Sequence, residues 1–172
     1  MKHRTRKNTA RTLTQGAIIA ALYAVLTHAQ NLLLPGSATW AIQMRVSECM
    51  CVLALFTPSA IWGLGVGCFL FNIMYAGALP LDWLIGPLAT VLATGAMYVT
   101  RRLTLKGYPL LALAMPALFN GLLVGWELSV YIGGAFWINS VYVAAGEAIV
   151  LYTLGTALYY TARKSQIRKF LR

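Results

Sequence analysis

The chain has 172 residues, of which 59% are hydrophobic and 10% charged; a soluble domain carries about 25% charged residues, so composition excludes an ordinary soluble fold and indicates a membrane protein. The length fits one compact unit rather than two. Net charge is +10, but the basic residues flank apolar runs instead of forming a face, which is the pattern of cytoplasmic loops and not of a nucleic-acid binder.

In chain order, a basic head with Lys2, Arg4, Arg6, Lys7 and Arg11 precedes an apolar run over 12–34 that stops at Pro35-Gly36. That run is too long for a signal-peptide core and is followed by further runs, so it is predicted to be a retained first span. A second span is predicted over 39–56, with MRVSE at its front, and Thr57-Pro58-Ser59 turns the chain into a third over 58–77; Pro58 suits the opening of a helix. A fourth span is predicted over 82–100, before the polar loop RRLTLKGYP with Arg101, Arg102 and Lys106. The fifth covers 109–131, broken by Gly133-Gly134, and the sixth 137–162, before a basic tail with Arg163, Lys164, Arg168, Lys169 and Arg172.

Six spans place both termini on one side, and the three basic clusters fall on that same side. The predicted fold is therefore an all-α integral membrane protein, a single six-helix bundle over 1–172 in the plasma membrane, with N- and C-termini cytoplasmic. Trp40, Trp83, Tyr131 and Trp137 would mark the outer interface, and Tyr98, Tyr108, Tyr159 and Tyr160 the inner one. Cys49, Cys51 and Cys68 lie inside apolar runs without a disulfide or zinc spacing and read as buried thiols. Gly63 and Gly67 form a small-xxx-small packing face, not a nucleotide loop.

The chain has only four acidic residues, Glu48, Asp82, Glu127 and Glu147. A charge in hydrocarbon costs about 2.5–3.5 kcal/mol even on lenient scales, so such residues face a partner or a cavity. Threaded through the predicted topology, Arg45, Glu48, Asn72, Asp82, Glu127 and Asn139 fall toward the outer side and Glu147 near mid-membrane; the inner half holds almost no polar groups. Asn120, Glu127 and Tyr131 share one helical face, as do Ser140 and Glu147, and Arg45 and Glu48 stand three apart. Helix–helix glue is the alternative reading for any one of these, but glue has no reason to gather on one side. Arg45 offsets only one carboxylate, so the cluster favours a cationic or donor-rich ligand, for which Trp83, Trp126, Trp137 and Tyr131 could supply flat surfaces. Without an HExxH pair, a Ser/His pairing or a Walker A loop, the sequence supports neither a metal nor ATP hydrolysis by this chain.

These residues carry a resemblance. The pieces AALYAVLT (20–27), QMRVSE (43–48), LFTPSAIWGLGVGC (55–68), LDWLIGPLATVLA (81–93) and FWINSVYVAAGE (136–147) resemble, in order, the substrate-binding (S) components of energy-coupling factor transporters, and among them the QueT group, where RVSECM stands for the commoner RISEAL. The resemblance implies a non-enzymatic, cofactor-free transport subunit that captures a queuosine precursor, a 7-deazaguanine base. It implies a transmembrane coupling protein (T component) and two cytoplasmic ATPases as partners, and small residues on the first span, Ala17, Ala20, Ala21 and Ala24, as the docking face. Packing within the bundle is the other reading of those alanines. A guanine-type edge sets a ring N–H beside an amino group, which one carboxylate accepts together, so Glu48 is expected to face the ligand, with Arg45 orienting or partly neutralising it. Rival readings are an S component for another vitamin-like substrate, a small intramembrane enzyme, or a freestanding secondary transporter; for the last two neither a nucleophile–base pair nor an inverted repeat is visible.

Overall fold

The computed structural model describes residues 2–37 and 44–164. Trp40 and Gln43, and the tail residues Arg168, Lys169 and Arg172, lie outside the described residues. Helix α1 spans Lys2–Leu33, a 3₁₀ helix Val46–Leu55, α2 Ser59–Met74, α3 Asp82–Thr100 and α4 Leu110–Tyr131. Helix α5, Phe136–Val150, continues through a π turn, Leu151–Gly155, into α6, Thr156–Lys164.

Among the described residues, four segments are long and apolar enough to cross a membrane: Thr9–Leu33, Asp82–Thr100, Leu110–Tyr131 and Phe136–Lys164. The second predicted span differs. Its described part is a 3₁₀ helix of 10 residues, which rises about 20 Å against the roughly 30 Å of a bilayer core. Helix α2 has 16 residues and is also short of a full crossing by length.

The apolar runs form helices because a buried backbone in lipid must satisfy its own polar groups. What packs them closely is the small residues. A Cβ on Gly67 would stand 2.7 Å from the Ala20 carbonyl oxygen, and one on Gly63 would stand 2.7 Å from that of Gly16, so α1 and α2 run parallel with their backbones nearly touching. Gly125 faces Ser140 in the same way, with 2.6 Å to its Cα, and Gly121 faces Ala144; this sets α4 and α5 antiparallel. Ala20 is therefore 4% exposed and belongs to the bundle's own packing, which corrects its placement on a docking face. Ala17 and Ala21 are exposed and Ala24 is half-buried.

The chain enters the 3₁₀ helix along an extended segment pinned by Gln30 of α1. Its amide nitrogen donates to the Met44 carbonyl at 2.7 Å and its oxygen accepts the Val46 N–H at 2.7 Å. That side chain takes the place of a missing strand partner, and it fixes the direction in which Arg45 and Glu48 project. The main apolar core, with Tyr23, Val52, Leu64, Met97, Leu113 and Leu151, fills the bundle toward the end that carries the 101–108 loop. A smaller apolar group, Val124, Leu128 and Val143, sits toward the other end. The loop end is not free of buried polar groups as the sequence reading expects: Gln15, Thr57 and Ser59 are buried there, with the Thr57 and Ser59 hydroxyls 2.9 Å apart and Ser59 donating to Gln15 at 3.3 Å.

Candidate functional site

Between and beyond these cores lies a buried polar cluster drawn from α1, the 3₁₀ segment and α2 to α5. Arg45 is 5% exposed, at the head of the 3₁₀ helix, and all four carboxylates of the chain are buried around it: Glu48 at 1%, Asp82 at 7%, Glu127 at 0% and Glu147 at 2%. Arg45 lies within electrostatic reach of Glu48, Asp82 and Tyr23. Its guanidinium also donates to the Cys68 sulfur at 3.7 Å and stands 5.7 Å from the centre of the Phe71 ring, a cation–π distance. Phe71 is held by Tyr75, stacked at 5.4 Å, and by the edge of His28 at 4.9 Å.

The carboxylates divide into two kinds. Glu48 is supplied from within the chain: Tyr23 of α1 donates its hydroxyl to one oxygen and the Cys51 thiol donates to the other. Residues three apart eclipse in a 3₁₀ helix, which brings Cys51 over Glu48. Thr27 donates to Ser47 at 2.7 Å beside them. Asp82 accepts the Leu79 N–H at 2.6 Å, and its backbone carbonyl accepts from the Asn72 amide at 2.6 Å; together these fasten the loop between α2 and α3. Gly86 leaves the space in which that amide sits.

Glu127 and Glu147 are different. Neither oxygen of Glu127 has a hydrogen-bond partner, nor does one oxygen of Glu147, nor the Ser140 hydroxyl. The side chain facing Glu127 is Asp82, another carboxyl, which can bond to it only through a proton shared between the two. Glu147 stands by Asn120 with Glu48 and Arg45 nearby. Buried acceptors left without donors each cost on the order of 1–3 kcal/mol, more for charged groups, and four buried carboxylates face a single arginine. The arrangement is short of donors and of positive charge.

The structure thus brings together Arg45, Glu48, Asn72, Asp82, Asn120, Glu127 and Glu147. It does not bring in the predicted aromatic surfaces. Trp83 is 48% exposed, Tyr131 42% and Trp137 70%, as expected of side chains facing the lipid interface rather than a ligand. Trp126 is likewise exposed. Tyr131 shares the spacing of Glu127 but is the last residue of α4, beyond the packed part of the helix. Asn139 is half-buried and donates to Ser129 and to the Gly133 carbonyl, so it closes the turn between α4 and α5. Sequence reasoning missed Tyr23, Phe71 and Cys68 as members of the cluster. Tyr23 carries a weak signal, a polar aromatic in the middle of an apolar helix, where a hydroxyl needs a partner. No cluster of His, Cys, Asp and Glu that could hold a metal occurs among the described residues.

The family model for the QueT transporter matches residues 13–164. The chain belongs to the QueT transporter family. It is accordingly a membrane transport protein, and the match runs across every residue of the cluster. Comparison with curated proteins and with solved structures gives no match.

Proposed function

We propose that this QueT-family chain is the membrane-embedded substrate-binding subunit of an energy-coupling factor importer of the plasma membrane, and that it captures a 7-deazaguanine queuosine precursor from the outside. In this reading the chain is a single six-helix unit with both termini cytoplasmic. The coupling protein and two ATPases supply the phosphate chemistry that the sequence lacks. The observation that carries the reading is the set of donorless buried acceptors on α4 and α5, Glu127, Glu147 and Ser140, beside a single arginine. A deazaguanine base presents a ring N–H and an amino group side by side, and its aminomethyl form adds a positive charge; both complete acceptors of this kind. The ligand-facing role expected of Glu48 moves to these residues, because Glu48 already accepts a bond on each oxygen.

The docking face proposed for the coupling protein is the outward side of α1, where Ala21 and Ala24 line a groove with Val25, His28 and Met74 of about 430 Å³. Ala17 continues the same exposed side. Small residues there allow a partner helix to approach closely.

The test is competition binding on the purified chain with aminomethyl-deazaguanine, guanine and adenine. The deazaguanine is expected to bind more tightly than adenine by at least about a hundredfold, since sites built on polar pairing reject a mismatched edge strongly. Equal competition by adenine would remove the carboxylate pairing from the account.

A further inference from the structure

The chain's remaining charge is all positive, and its side-chain carboxylates cannot neutralise it. All four are buried in the cluster described above, whereas Arg102 and Lys106 are exposed in the loop between α3 and α4. Their neighbour Arg101 is already engaged, donating to the Tyr98 carbonyl and lying 3.6 Å from the Tyr98 ring centre.

The loop has a definite shape. Leu105 and Tyr108 exchange both backbone hydrogen bonds, at 2.9 and 3.0 Å, around Lys106 at φ 51° and Gly107 at φ 80°. Left-handed backbone at both central positions marks the tight hairpin turn that favours Asn-Gly. A lysine at the first of these positions is held against its conformational preference, and the turn sets its charge at the tip. Below the tip, Arg102, Leu103, Thr104, Leu105, Leu110 and Leu111 line an open groove of about 410 Å³. Leu103 and Leu105 are 59% and 64% exposed. The groove adjoins an interface belt in which Tyr108 packs on Tyr159 and Tyr160. Leucines exposed beside cations with no acidic partner among the described residues match an amphiphile with an anionic head and an apolar tail.

We propose that this hairpin is a binding site for an anionic phospholipid of the bilayer, with its phosphate on Arg102 and Lys106 and an acyl chain along the leucine groove. An acidic protein surface would match the cations but not the leucines. The site is independent of whatever the carboxylate cluster binds.

The experiment compares retention of phosphatidylglycerol and phosphatidylcholine of identical acyl chains on the full chain, by native mass spectrometry from neutral detergent. Two near-surface cations are expected to give roughly a thirtyfold preference for the anionic lipid. The pair Arg102→Gln and Lys106→Asn is expected to reduce it to less than about threefold, because asparagine keeps the left-handed turn while removing the charge. Both positions are exposed, so helicity and thermal midpoint stay unchanged. Excess inorganic phosphate is expected not to displace the lipid. The proposal is overturned if the wild-type chain shows no headgroup preference, if the paired variant keeps it, or if free phosphate displaces the lipid.

Discussion

The two ends of this bundle carry opposite charge and handle it in opposite ways. At one end Glu48, Asp82 and Glu127 are sequestered, with Glu147 below them, around one guanidinium, and some of their oxygens receive no donor. At the other end Arg102, Lys106, Arg163 and Lys164 are exposed, and the core beneath them is mostly apolar. The difference teaches where the charge is used. Buried unsatisfied acceptors cost stability and so call for a reason to persist, which the proposed ligand would supply; exposed cations cost little and act on what lies outside, at short range.

The comparison is broken or sharpened first at Glu127 and Glu147. Glu127→Gln and Glu147→Gln are each expected to weaken deazaguanine binding by about 1.5–3 kcal/mol, since an amide replaces one acceptor with a donor and removes the charge. Calorimetry on each variant measures this, and unchanged affinity in both would place the ligand elsewhere. Folding is expected to survive, because the side chain facing Glu127 is another acid, Asp82, and an amide in place of Glu127 can donate to it.

A second expected effect, of similar origin in packing, is at the contact that sets the two helices carrying those acids. Gly125→Ala would place a methyl 2.6 Å from the Ser140 Cα. Overpacking of this kind costs about 1–3 kcal/mol, read as a lowered thermal midpoint. A backbone cannot yield as a flexible side chain does, so a wild-type midpoint would mean that α4 and α5 are less close than described.

Tyr23→Phe tests whether Glu48 is a structural acid rather than a ligand-facing one. It strips one oxygen of Glu48 of its donor and is expected to cost about 1–3 kcal/mol of stability, with ligand affinity changing less than in the Glu147 variant. A variant of normal stability that fails to bind would return Glu48 to the ligand. The smallest effect belongs to the opposite end: Arg163→Gln with Lys164→Gln is expected to stay within about 0.5 kcal/mol of wild-type stability, as for exposed positions generally. A large loss in chemical denaturation would show that those cations have partners in the fold.

A final contrast separates the two sides of α1. Ala21→Leu is expected to leave folding and binding intact while blocking uptake in cells, whereas Ala20→Leu is expected to destabilise the chain, since Ala20 meets Gly67. Wild-type uptake by the Ala21 variant would move the docking face.

The apolar runs and their interruptions were readable because hydrocarbon imposes a single backbone solution on any run long enough to need one. The scarcity of acid was also readable: with so few carboxylates in an apolar chain, each had to lie inside or at a boundary, and a spacing of seven put Asn120 with Glu127, and Ser140 with Glu147, on a shared helical face. Sequence spacing, though, relates residues on one helix only to each other. It leaves open how that helix is rotated against its neighbours, and so it could not say that Ala20 turns inward onto Gly67 while Ala21 turns out, or that Trp83 and Trp137 leave the cluster. Those rotations follow from where small residues let backbones meet. Nor could spacing show which acids are already satisfied. Tyr23 reaches Glu48 across 25 positions of sequence, and only the packing of α1 against the 3₁₀ helix brings that hydroxyl to that carboxylate. Composition determined that the carboxylates would be few and buried; the tertiary structure decided which of them were given donors from within the chain and which were not.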